Sequence, residues 1–256
     1  MQLEEPRTHA EKPSNRVFPF WLVALGSGLL AGLLSAFCGE LTFAALHKEP
    51  DYPASFTSLS SSERAVARAV VRYNTRMAVD TNKAMAAYGL LGVALGVAMG
   101  LAGGLAGPSR RADLRGALGG GVMGGIAGAA LSMALVPLFF QLSDSGITSL
   151  PLLFATDAAI FAGVAAAASA ALAWEWGDRK VIVRCMIGGV VGAVVATLVA
   201  LVINVAAFGI MRIFEPVPAK SMARILVHVF VAVGAALGAV VGSRKFRARL
   251  RMQGTD

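Results

Sequence analysis

Apolar residues do not alternate with polar ones along most of this chain. They come in long runs separated by short charged segments. Six runs are long enough for the roughly 20 residues that cross about 30 Å of hydrocarbon, at 19–46, 84–106, 116–141, 151–176, 186–211 and 223–243. The pattern predicts an all-α, polytopic membrane protein with six transmembrane helices arranged as three tandem helical hairpins (helices 1–2, 3–4 and 5–6). The transmembrane domain covers 19–243, between an N-terminal tail at 1–18 and a basic tail at 244–256. The first run is too long for a signal-peptide core and lacks an A-x-A cleavage site, so it reads as a retained helix.

The segment 47–83 breaks the pattern. Glu49-Pro50-Asp51-Tyr52-Pro53 is a proline-bounded turn region. Ser60 and Glu63 then have capping-box spacing, each side chain accepting from the other's backbone N–H. Arg64, Arg68, Arg72 and Arg76 follow at four-residue intervals, with Val66, Val70, Tyr73 and Met77 on a second face. This predicts an amphipathic helix over 61–82, lying at the outer interface or leading directly into the second span. Its arginine row reads as a solvated, interfacial basic face anchoring the loop, with an anion or lipid-phosphate site as the alternative; anionic lipid headgroups are an expected partner of the protein.

Composition agrees with the run pattern. Of 256 residues, 56% are hydrophobic before the 29 glycines are counted, and 15% are charged. Soluble chains carry about 25% charged residues, so soluble enzyme folds are excluded as the main architecture. The net charge of +8 comes from Lys and Arg set between apolar runs, which indicates orientation and lipid contact rather than nucleic-acid binding. Arg7, Lys12, Arg16, Arg110, Arg111, Arg115, Arg179, Lys180, Arg184, Arg244, Lys245, Arg247, Arg249 and Arg251 fall on one side of the alternating topology. The other side, with Lys48, Arg64, Arg68, Arg72, Arg76, Lys83, Arg212, Lys220 and Arg224, is poorer. Both termini are therefore expected in the cytoplasm, in a cell (inner) membrane. Cys38 and Cys185 are expected near opposite faces, too far apart to pair.

Glycines recur at four-residue spacing as Gly92, Gly96, Gly100 and Gly104, as Gly120, Gly124 and Gly128, as Gly188 and Gly192, and as Gly234, Gly238 and Gly242. On a helix each set lines one groove, where a neighbouring backbone can approach closely. At an offset of 69 residues, Arg115 falls on Arg184, Gly119-Gly120 on Gly188-Gly189, and Val136 and Phe139 on Val205 and Phe208. That order suggests an internal, parallel repeat of hairpins. Gly39-Glu40 at the end of helix 1, the four-spaced glycines of helix 2, and a basic loop before the glycine-paired helix 3 resemble a group of functionally uncharacterised bacterial multi-pass membrane proteins rich in Gly and Ala. The resemblance implies a fold and no activity.

No catalytic constellation is complete. There is no G-x-x-x-x-G-K-[ST], and Ser27 and His228 lie at different depths, which excludes a serine–histidine pair. His9, His47 and His228 lack metal-ligand spacing, and no cofactor is expected. What remains is a set of polar residues inside the spans, where an ionisable group is costly. Glu40, Tyr88, Asp157, Asn204 and His228 all fall in the outer third of the bilayer. Asn204 shares a helical stripe with Ala193, Thr197 and Ala200, which points it into the bundle, and the set predicts a polar cluster centred on Asp157 and His228. Two functions fit. One is a non-enzymatic scaffold or complex subunit packed through glycine ridges, homo-oligomeric or in a membrane complex. The other is a small-solute or ion transporter using the cluster.

Overall fold

The computed structural model describes residues 20–46, 49–105, 112–144, 150–174, 176–209, 217–218 and 220–253, with 44, 112–113 and 245–253 as backbone alone. Arg7, Lys12, Arg16, Lys48, Arg110, Arg111, Arg212, His9 and His47 lie outside the described residues. Among the described residues there are six α-helices: α1 (Phe20–Ala45), α2 (Ser61–Leu105), α3 (Ala112–Asp144), α4 (Leu150–Trp174), α5 (Arg179–Phe208) and α6 (Ser221–Gln253), with a short 3₁₀ turn at Ala54–Ser58. All six helices are long and apolar enough to cross a membrane, and the protein is a multi-pass, all-helical membrane protein. Several helices outrun their apolar runs. Hydropathy marks the part that suits hydrocarbon, whereas backbone hydrogen bonding continues into the polar flanks.

Each helix packs on the next, and α6 closes the ring against α1. Across the ring, α2 touches α4 and α6, and α4 touches α6, so the even-numbered helices form the interior. Tyr88, Leu91, Leu95 and Met99 of α2, Phe161 and Val164 of α4, and Val231 of α6 are fully or almost fully buried there. Leu30, Leu34 and Phe37 of α1 and Val191, Val195 and Val202 of α5 are exposed, as lipid-facing side chains are. Two tight turns need a left-handed residue, and both have glycine: Gly177 (φ 67°) before α5 and Gly209 (φ 78°) after it.

The most intimate helix pairs are α2 with α3 and α5 with α6, and glycine is the reason. A Cβ placed on Gly92 would fall on the carbonyl of Gly124, and one on Gly96 on that of Gly120. Gly100 faces the Gly116 backbone, and Gly128 the Tyr88 carbonyl. In the second pair Gly188 meets Gly238, Gly192 meets Gly234, and Gly242 meets the Arg184 carbonyl. Gly104 is buried. A third contact of the same kind sets Gly28 and Gly32 of α1, also four residues apart, against the α6 backbone at Ala232 and Val229, which has no glycine at the contact. By contrast, a Cβ on Gly119 would meet open space.

Outside the bundle, α2 is continuous from Ser61 through its span. At 1.5 Å per residue its 45 residues measure about 68 Å, of which about 34 Å precede the apolar run. This projecting part, with the segment 49–60 folded against it, is the arm, and the bundle end it leaves is the arm end. The helix therefore does not lie flat along an interface. Its start is the capping box: the Ser60 N–H donates to Glu63 Oε2 (3.0 Å) and the Glu63 N–H to Ser60 Oγ (3.4 Å). Its base is packed, with Tyr73 edge-on to Phe140 of α3 at 6.2 Å.

Two predictions follow from this packing. Gly96→Ala should destabilise the bundle by about 2 kcal/mol or more, because neither backbone can retreat without losing its neighbours, while Gly119→Ala should leave stability unchanged. Reversible unfolding in mixed micelles measures both. The capping box sets a pH dependence. The Ser60 hydroxyl and N–H hold the Glu63 carboxyl below its ordinary 4.5. A lowered folded value means the cap is complete above 4.5 and is lost as pH falls through the lowered value. Amide exchange over Ser61–Arg64, corrected for intrinsic rates, should accelerate in acid, and Glu63→Gln should abolish that dependence.

Candidate functional site

The polar residues foreseen inside the spans collect at the arm end, in two groups. The first joins α1 to α6. Glu40 sits near the end of α1 and Arg224 one turn into α6. The guanidinium meets the carboxylate with two parallel bonds, Arg224 Nε to Oε1 at 2.7 Å and Nη2 to Oε2 at 2.6 Å. Ser221 Oγ donates to the same Oε2 at 2.8 Å, and Arg224 Nη1 donates to the Pro218 carbonyl at 2.6 Å. Phe43 lies beneath the guanidinium, 4.6 Å from ring centre to carbon. The Arg224 side chain is 12% exposed and that of Glu40 29%. A paired, hydrogen-bonded charge is the form in which a charge tolerates burial.

One turn further along α6, His228 is buried, with Nδ1 3.2 Å from Ser35 Oγ of α1. Ser35 Oγ also lies 3.0 Å from the Gly32 carbonyl, so His228, Ser35 and Gly32 form one short chain whose proton order follows the histidine tautomer. The ring packs on Tyr88, with centroids 6.1 Å apart, and Tyr88 in turn stands edge-on to Phe161 at 4.9 Å.

The second group lies between α4, α5 and α6. Asp157 and Asn204 line one cavity with Thr197, walled by Leu153, Leu201 and Val227. Its volume of about 20 Å³ accommodates a single water-sized species. Asn204 is 4% exposed, as expected from its stripe with Ala193, Thr197 and Ala200, all buried. The Oδ1 atoms of Asp157 and Asn204 are buried without a hydrogen-bond partner among the described residues. Tyr88 bridges the two groups, being within electrostatic reach of Asp157 as well as stacked near His228. The predicted single cluster centred on Asp157 and His228 is thus divided: His228 is bonded to α1, and Asp157 faces α5.

The arginine row finds protein partners. Arg64 Nη2 donates to the carbonyls of Thr57 (2.7 Å) and Leu59 (2.9 Å). Arg68 stacks over Tyr52, Arg72 Nε donates to the Tyr52 hydroxyl (3.0 Å), and Arg76 lies 3.7 Å from Asp80. Arg64, Arg68 and Arg72 clasp the 49–60 segment to α2, while Arg76 pairs along α2 itself. At the opposite end, a shallow apolar groove between α3 and α4 is flanked by Arg115 and Trp174.

Sequence reasoning missed Arg224 as a site residue, counting it only as a loop charge. The available signal was that it falls inside the apolar run 223–243, opposite in sign to Glu40 near the end of another run. Ser35 and Ser221 carried no signal. Among the described residues no group of three or more His, Cys, Asp or Glu could hold a metal ion. Cys185 is buried and Cys38 half-buried, and the two form no disulfide with one another.

No protein-family model matches the chain, and no curated protein or solved structure is significantly similar to it. Function has to be argued from these residues.

The ion pair yields a prediction. Arg224→Leu should cost about 2–3 kcal/mol, less than the 3–5 kcal/mol of a fully buried pair because Glu40 is partly exposed. Adding Glu40→Leu should restore most of that loss, giving a coupling of about 1 kcal/mol or more in a double-mutant cycle.

Proposed function

We propose that the protein is a non-enzymatic scaffold or subunit of a membrane complex, with both termini in the cytoplasm and the arm on the outer side. The observation that carries this reading is the arm. It projects about 34 Å beyond the apolar span, Arg64, Arg68 and Arg72 engage its own 49–60 segment, and Val66 and Val70 remain exposed on it at 65% and 53%. A braced helix carrying uncovered apolar side chains in an aqueous compartment suits a partner's surface. The glycine ridges of α2, α3, α5 and α6 face one another within the chain, so they give this subunit rigidity rather than its docking face. Arg115, Arg179, Lys180, Arg184 and Arg244, at the end opposite the arm, support the orientation. Arg115 beside an apolar groove suits anionic lipid headgroups there.

A second reading, ion transport, is favoured by one observation: two unpartnered oxygens, on Asp157 and Asn204, share a cavity within the spans. That cavity fits an ion and is too small for an organic solute.

Extraction directly into lipid nanodiscs, followed by native mass spectrometry, tests the first reading. The protein should run in an assembly heavier than its own 26.4 kDa, and Val66→Asp with Val70→Asp should release it. A parent chain found only as a monomer would overturn the proposal. Orientation is tested in a background lacking Cys38 and Cys185, where Ser55→Cys should react with an impermeant maleimide from outside and Arg179→Cys should not.

A further inference from the structure

We propose that the cavity between α4, α5 and α6 is a binding site for one monovalent cation of sodium's size, held by Asp157, Asn204 and Thr197. The donors come first. Asp157 Oδ1 and Asn204 Oδ1 are buried and make no hydrogen bond among the described residues, although an unpaired buried oxygen is expensive. Thr197 donates its proton to the Ala193 carbonyl at 2.8 Å, so its lone pairs are left to accept. The cavity thus presents a carboxylate, an amide carbonyl and a hydroxyl oxygen, hard donors that suit a hard cation.

The charge balance points the same way. The Arg224 guanidinium is engaged by both oxygens of Glu40 and by the Pro218 carbonyl, and Lys220 lies over the Phe208 ring. Glu40 thus neutralises Arg224, and among the described residues no cation pairs with Asp157. Asn204 lies one turn before the end of α5 at Phe208, where the helix's terminal carbonyls add negative potential. A divalent ion is disfavoured. Calcium takes six to eight oxygens and magnesium near-ideal octahedral geometry, whereas one carboxylate with two neutral oxygens balances a single positive charge. The volume of about 20 Å³ leaves room for the ion without its hydration shell, and the Leu153, Leu201 and Val227 walls exclude further water.

The site stands independently of the scaffold reading, since it is contained in one chain and can be tested on the isolated protein. Equilibrium binding of radioactive sodium to the full chain in nanodiscs, with choline chloride keeping ionic strength constant, should saturate at one ion per chain. Sodium at a hundredfold excess over Kd should raise the Tm by about 5 °C or more, with tryptophan fluorescence as the probe. Asp157→Asn preserves shape while removing the charge, and Asn204→Ala removes the carbonyl. Each should weaken sodium binding at least tenfold while melting cooperatively in choline. Absence of saturable binding to the parent would overturn the proposal. So would unchanged affinity in either variant, or a Tm that follows pH and ignores sodium, which would identify Asp157 as a proton site. If Asp157→Asn fails to fold, the parent's binding isotherm and Asn204→Ala decide the question.

Discussion

In lipid, two apolar helices gain little by leaving the solvent for each other, because acyl chains are as apolar as leucine. Association then depends on how closely the helices can approach. Here the approach is set by missing side chains. Gly92, Gly96 and Gly100 of α2 lie against Gly124, Gly120 and Gly116 of α3, and Gly188 and Gly192 of α5 against Gly238 and Gly234 of α6. Dispersion between backbones replaces the burial of large side chains. The ring of six helices, and the interior formed by α2, α4 and α6, rest on those two pairs and on the α1–α6 contact at Gly28 and Gly32.

The arm end shows the other side of the same constraint. A polar atom inside the bundle has to find its partner within the protein, and most do. Ser132 and Thr197 return to carbonyls of their own helices at 2.7 and 2.8 Å. Glu40 and Arg224 neutralise one another, and His228 and Ser35 complete a short relay to Gly32. These bonds tie α1 to α6 where the chain's first and last helices meet. Against that background, Asp157 Oδ1 and Asn204 Oδ1, like Ser169 Oγ, are buried without a partner among the described residues, and the first two share a cavity.

What could be read from the sequence was whatever is local or periodic. Six apolar runs became six helices, because a bilayer-length run leaves the backbone no alternative to helical hydrogen bonding. Ser60 and Glu63 are three residues apart and formed the capping box. Asn204 was placed inward by its stripe with Ala193, Thr197 and Ala200, and the structure buries all four. Partnerships between distant residues were not legible. Glu40 and Arg224 are 184 positions apart, and nothing in their flanks marks one for the other. The four-spaced glycines were visible as ridges, but periodicity says nothing about which ridge meets which. The arginine row was legible as a basic face anchoring the loop, but its individual partners at Tyr52, Thr57 and Leu59 were not, because they belong to an irregular segment whose return path no hydrophobic pattern encodes.

The continuity of α2 has a mechanical meaning. One unbroken helix joins the Gly-packed interface with α3 to the tip of the arm, and its first 34 Å or so act as a lever whose fulcrum is the start of the apolar run at 84, braced part-way along by the Tyr73–Phe140 contact. A tilt of about 10° in the span would carry the tip sideways by about 6 Å for a rod of that length. Conversely, a load applied at the tip reaches the fulcrum as torque, with no loop in α2 to absorb it.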